Sequence, residues 1–210
     1  EYPLYQPQNG WAEQNPDDWW EKTALSIRRL LEKTCVRRGE IEAVGLTGQM
    51  HGLVLLDENG GVLRNAIIWC DQRSGAQCSK MTHDLTRDRL IEFTANPALT
   101  GFTAAKLLWV KENEPDVFAK CRHILLPKDY IRYKLTGVFA TDMSDASGMQ
   151  LLDVKNRCWS KEMLDYFGLR EDMLAVLYES PEITGTVDEQ AARKTGLTAG
   201  TRVAAGAGDN

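Results

Sequence analysis

The residues Thr201-Arg-Val-Ala-Ala-Gly-Ala-Gly-Asp209-Asn210 read as a buried strand running into a tight glycine turn that presents one carboxylate. Glycine lets a backbone approach a substrate closely, and strand ends are where proteins often mount reactive groups. An aspartate held after Gly206 and Gly208 is placed to act as a general base. On its own the motif is better explained as an ordinary Gly-Asp-Asn turn.

Other segments carry similar possibilities. Gly48-Gln49-Met50-His51-Gly52 puts polar side chains at the C-terminal end of a strand, where open α/β sheets bind ligands. Its plain alternative is a tight turn whose His satisfies a backbone carbonyl. Trp69-Cys70-Asp71-Gln72-Arg73 ends another strand and sets an aromatic beside an acid and a guanidinium. Its alternative is a surface salt bridge. Asp129, after Lys128, could simply favour a helix N-terminus. Asp142 and Asp145, with Ser144 and Ser147, form either a polar site or a capping loop. Taken singly, each is better explained structurally than chemically. His83 and His123 have no partner pattern and are read as structural. There is no Walker A loop, no G-x-G-x-x-G, no H-E-x-x-H and no G-x-S-x-G.

The elements that must position these groups alternate strand with helix. Pro16-Asp-Asp-Trp19-Trp20 opens a helix capped by Asn15, with Trp20, Ala24, Ile27, Leu30 and Leu31 at helical spacing and an end near Arg37-Arg38-Gly39. Residues 41–47 read as a buried strand. Residues 52–57 and 62–69 flank Glu58-Asn59-Gly60-Gly61 as a hairpin. Helices are predicted over 74–85, 87–93, 103–113, 115–120, 128–135, 160–167 and 187–195. Short strands are predicted near 151–153 and 201–205, a short strand or extended link over 123–127, and a polar loop over 141–148. The class is α/β.

Composition bounds the partners. The net charge of −5 argues against a nucleic-acid surface, and no apolar run approaches membrane-spanning length. The five scattered cysteines form no C-x-x-C pair and are read as reduced thiols of a cytoplasmic protein.

The order of the segments resembles the FGGY carbohydrate kinase family, most closely its members that act on D-xylulose. The resemblance runs through Gly10-Trp11-Ala-Glu13-Gln14-Asn-Pro16-Asp-Asp-Trp19-Trp20 and Gly45-Leu-Thr-Gly-Gln49-Met50-His51-Gly52. It continues through Ile68-Trp69-Cys-Asp71-Gln-Arg73, Gly101-Phe-Thr-Ala-Ala-Lys106-Leu-Leu-Trp109 and Leu126-Pro-Lys128-Asp129-Tyr. Thr141-Asp142-Met-Ser144-Asp145-Ala-Ser147-Gly148 and Gly206-Ala-Gly208-Asp209-Asn210 complete it.

The resemblance implies a ribonuclease H-like, actin/hexokinase-like fold. It implies that residues 1–210 are the sugar-binding first domain, incomplete at its N-terminus. An Asp-x-Gly-Thr-type phosphate motif is expected before Glu1, and an ATP-binding domain after Asn210. ATP and Mg would be held mainly by those parts, no residue here is assigned to a metal, and the chain alone is expected to be inactive. The implied reaction is ATP-dependent phosphorylation of D-xylulose to its 5-phosphate. Asp209 matches the family's general base. Met50 and His51 match its sugar-contacting pair, and Gln49, Trp69, Asp71, Arg73 and Asn210 are expected around the same sugar. Cys70 stands where the family often has Asn, so a hydrogen bond near that wall is expected to be missing. The expected partner is a small sugar, with no nucleic acid, no membrane and a possible homodimer. Alternatives are a kinase for another pentulose or polyol, and a non-catalytic sugar-binding module.

Overall fold

A computed structural model describes the backbone of residues 1–210 and every side chain except that of Arg38. Its strands carry helices on both faces, as an α/β class requires. The strand Val54–Leu56 shows why. Leu53 and Leu55 point into one core, with Leu107, Met163 and Phe167. Val54 and Leu56 point into the other, with Trp19, Trp20, Ala191 and Val203. Successive side chains of a strand face opposite ways, so a run apolar at every position needs cover on both sides.

The first helix, Pro16–Thr34, begins as expected. Pro16 sits at its first position and the Asn15 side chain accepts a hydrogen bond from the Asp17 amide at 3.0 Å. It ends three residues earlier than the cationic run suggested, at a left-handed Cys35 with φ 54°. Arg37 instead ion-pairs with Glu40 around a 3₁₀ turn. Leu30, expected on the packed face, is 60% exposed. The helix buries Pro16, Trp19, Trp20 and Ala24, and Ile27 and Leu31 pack partly against the same core, while Leu30 turns away from it.

The predicted hairpin is present. Leu53 bridges Ile67 and Leu56 bridges Val62, both antiparallel, and the Asp57 amide donates to the Gly61 carbonyl at 2.9 Å. On its other side Val54–Leu56 pairs antiparallel with His123–Leu125.

The pairing that matters most for the site joins distant segments. Arg202–Ala204 lies between Ile183–Thr186, antiparallel, and Ala43–Val44, parallel. The two parallel neighbours then continue together, with Ala207 opposite Thr47 and Gly208 opposite Gly48. At Gly206 the chain takes φ +81°, and a Cβ there would overlap the Leu46 carbonyl oxygen. Only glycine meets both conditions.

The predicted buried strand over 41–47 is corrected in two ways. It is broken at Gly45-Leu46 into Ala43–Val44 and Thr47–Gly48, and Glu42, Ala43, Gly45 and Thr47 are exposed. These strands have partners on one side only among the described residues. A groove of about 390 Å³ runs beside Leu46–Gln49 and is lined also by Trp19, Ile27 and Ile131, among others.

The predicted polar loop over 141–148 is instead the strand Ala140–Asp142 and a short helix, Met143–Ser147. Asp142 caps that helix, one carboxylate oxygen accepting from the Ser144 amide at 3.0 Å and the Asp145 amide at 3.1 Å. Its other oxygen is 2.7 Å from the Lys128 ammonium. Lys128 also meets Asp129 at 2.6 Å and Asp145 at 3.5 Å, all of them buried. Arg132, on the same helix Pro127–Thr136, bonds Asp129 at 2.8 Å and donates to the carbonyls of Ala140 and Ala205. One guanidinium thus ties a helix to two strands, the second of which leads directly to Gly206.

Replacing Arg132 with Met should destabilise the protein by about 3–5 kcal/mol, because it strips Asp129 of a buried partner and orphans two carbonyls. Urea unfolding measures this. A change below about 1 kcal/mol would show that the network does not hold these strands.

Candidate active site

The turn after Thr47–Gly48 and the turn after Ala207–Gly208 emerge side by side because their strands are paired. Met50, His51, Trp69, Asp209 and Asn210 line one cavity of about 260 Å³. The Met50 amide donates to the Asp209 carboxylate at 3.2 Å across 159 residues of sequence. The Thr47 hydroxyl donates to the Gly208 carbonyl at 3.1 Å, and the Asn210 amide lies 3.2 Å from the Met50 sulfur. Trp69, 56% exposed, supplies a large aromatic surface to the same space. An acid, an imidazole, an amide and an indole around a small opening suit a compact ligand with several hydroxyls.

His51 is held in an unusual state. Its φ of +66° is left-handed, a conformation that disfavours a residue with a Cβ. Its carbonyl accepts from the Lys106 ammonium at 2.8 Å and from the Thr103 hydroxyl at 3.2 Å. Its Nδ1 is 2.9 Å from the Gly148 carbonyl. A carbonyl only accepts, so Nδ1 carries the proton, and in the neutral ring Nε2 is the acceptor. The Phe102 ring stands edge-on, 4.9 Å away between centroids. A Cβ at residue 148 would overlap the imidazole. Burial pushes the His51 pKa below 6.5, and the Lys106 charge adds to this against the Gly148 carbonyl and Asp209.

Three expected site residues stand elsewhere. Gln49 lines the groove beside Trp19, not the cavity; its amide donates to Gln14 at 2.9 Å, and the same Gln14 oxygen accepts from the Trp19 indole at 3.0 Å. Asp71 and Arg73 are fully buried and bound to each other, the guanidinium donating at 2.8 Å. Asp71 also accepts from the Ala12 amide at 2.6 Å, and Arg73 meets Glu13 at 2.7 Å. The guanidinium lies 3.8 Å from the centroid of Trp11 and 4.9 Å from that of Trp109. This is neither a surface salt bridge nor part of the cavity lining. It is an internal clamp fixing the strand end from which Trp69 projects.

The residues that hold His51, namely Thr103, Lys106 and Gly148, were not singled out for chemistry from the sequence. A lysine among Ala104, Ala105, Leu107 and Leu108 was the available signal.

The acids Asp129, Asp142 and Asp145 converge closely enough to hold a metal ion. They do not fit magnesium, because the Lys128 ammonium already lies among them. Among the described residues no other such group occurs, and no helix is long and apolar enough to cross a membrane.

Residues 1–210 match the family profile described as the FGGY family of carbohydrate kinases, N-terminal domain. The chain is 44% identical over 209 residues to a xylulose kinase of Bacillus subtilis, covering 100% of this chain and 42% of that protein. It is 43% identical over 200 residues to a xylulose kinase of Escherichia coli, covering 95% of this chain and 40% of that one. It thus spans about two fifths of the length of these relatives. The crystal structure of a protein described as a xyloylose kinase from Brucella ovis superposes with a TM-score of 0.91 at 39% identity, over 100% of this chain and 42% of that one. The α/β fold is that of the actin/hexokinase-like kinases, and the chain belongs to the FGGY family of carbohydrate kinases.

Proposed function

We propose that the chain is the sugar-binding part of an ATP-dependent kinase that phosphorylates D-xylulose, with Asp209 as general base. The observation that carries this reading is the shared cavity. It brings a carboxylate and a ring nitrogen able to accept hydrogen bonds to one small opening, from strand ends paired in parallel. The names of the relatives support xylulose as the sugar.

In this reading one sugar hydroxyl donates to Asp209 and another to Nε2 of His51. Trp69 packs against a carbon face of the sugar, and the Asn210 amide donates to a further oxygen. Transfer needs little covalent help from the protein and much positioning. The hydroxyl oxygen attacks the γ-phosphorus of ATP. The bond to the ADP oxygen breaks as the new O–P bond forms, and Asp209 takes the hydroxyl proton. Held by one backbone amide, its carboxylate keeps acceptor capacity for that proton. Magnesium supplies charge neutralisation at the phosphates when bound, and residues of this chain are not its ligands in this reading.

The tautomer of His51 gives the site a pH dependence. Protonation turns Nε2 from acceptor into donor and removes the proposed sugar contact. Sugar affinity should therefore fall as pH drops through the His51 pKa, which NMR titration should place below 6.5. The stability contribution has the same sign. The unfolded chain binds the His51 proton more readily, so stability declines as pH falls from about 6.5 toward the folded value. A His51 midpoint above 6.5 would contradict the burial argument.

In the kinase carrying this chain, Asp209→Ala should lower turnover by about 10²–10⁴-fold. Turnover like that of the wild type, with sugar bound, would remove Asp209 as the base. His51→Ala should raise the KM for xylulose more than that for ATP. A defect confined to ATP would place His51 on the wrong side of the reaction.

A further inference from the structure

Lys106 is the most unusual charged group in the molecule. It is wholly buried on the helix Thr103–Asn113, whose residues Thr103 to Val110 are all buried. Among the described residues no carboxylate forms an ion pair with it, although buried lysines are normally paired. It sits in the first turn of its helix, where the macrodipole disfavours a cation. Burial lowers its pKa to about 7 despite the pull of Asp71. A core position needing only apolar volume would hold Leu or Met at far lower cost. Something must offset that penalty.

What the ammonium does is join two backbone carbonyls, His51 at 2.8 Å and Gly101 at 2.5 Å. The first belongs to the strained turn that presents the imidazole. The second precedes Phe102, whose ring stands against that imidazole. Both bonds survive if the amine is neutral, because NH₂ still has two donors. Thr103, from the same helical turn, adds a weaker bond to the same His51 carbonyl. The ring is thus fixed from both ends, its backbone by Lys106 and Thr103 and its Nδ1 by Gly148.

We propose that Lys106 is a positioning residue for sugar capture: by tying the His51 and Gly101 carbonyls together it holds His51 in the left-handed conformation that directs the ring into the cavity. The proposal rests on the reading of that cavity as the sugar site. Lys106 itself does not line the cavity, and its effect passes through His51.

The test uses the kinase carrying this chain. Lys106→Met keeps the length and removes the donors. It should raise the xylulose KM about tenfold or more, with kcat and the ATP KM each changing less than about threefold. In a His51→Ala background the same substitution should raise the xylulose KM no further, because the ring it directs is gone. A general packing role predicts a penalty that persists in that background. Such persistence, or no KM change from Lys106→Met alone, overturns the proposal. If His51→Ala itself leaves the xylulose KM unchanged, the sugar-site reading falls first and this proposal with it, so the two failures are distinguishable. Should Lys106→Met not fold, Thr103→Val carries the test on the same carbonyl. It should raise the xylulose KM about threefold, again only when His51 is present, and no rise overturns the proposal.

Discussion

The parallel pairing of residues 43–48 with residues 202–208 is the constraint on which the site depends. It brings Met50-His51 and Asp209 to face one cavity across 159 residues of sequence. The pairing bends at Gly206, where the Ala207 amide still finds the Leu46 carbonyl at 3.0 Å. A side chain at Gly206 would push the two segments apart and carry the carboxylate away from the imidazole. Arg132 reinforces the same join from below, through the Ala205 carbonyl. Sheet geometry and helix position therefore act on one short stretch of backbone.

Two buried lysines show how the same side chain serves opposite electrostatic ends. Lys128 has Asp129, Asp142 and Asp145 around it, and they raise its pKa although burial alone would lower it. The cluster sets three carboxylates against the cations Lys128 and Arg132. Burial, with the neighbouring Asp129 charge, pushes the Asp145 carboxyl above its ordinary range. Lys106 has carbonyls in place of carboxylates, and its pKa falls to about 7. The first lysine belongs to the framework that fixes the strands. The second reaches the wall of the candidate site.

Much of this was legible because the relevant signals are local. Asn15-Pro16 marks a helix start by its own chemistry, and Glu58-Asn59-Gly60-Gly61 marks a turn. The glycine run before Asp209 marks a strand end, although Ala207–Gly208 is itself paired strand rather than the turn expected there. The misreadings share a different cause, which is that the deciding contact is distant in sequence. Asp71-x-Arg73 looks alike on a surface loop and in a core, and only Trp11, Glu13 and Trp109 make it an internal clamp. Residues 141–148 carry loop-like letters; the capping role read for Asp142 is present, while the strand before it exists because Ala140–Asp142 pairs with the distant Val176–Tyr178. The strand over 41–47 had the apolar content of a buried element, while its cover depends on what lies beside it. Lys106 stands out only as a cation in an apolar run; its partners are carbonyls, which no sequence pattern displays.

The central claim is that the cavity of Met50, His51, Trp69, Asp209 and Asn210 receives the sugar. The most direct measurement is a crystal structure with D-xylulose bound. The account predicts a sugar hydroxyl within hydrogen-bond distance of the Asp209 carboxylate, and another within reach of Nε2 of His51. Sugar bound instead in the groove beside Trp19, Ile27 and Leu46, with Asp209 touching only the Met50 amide, would contradict it.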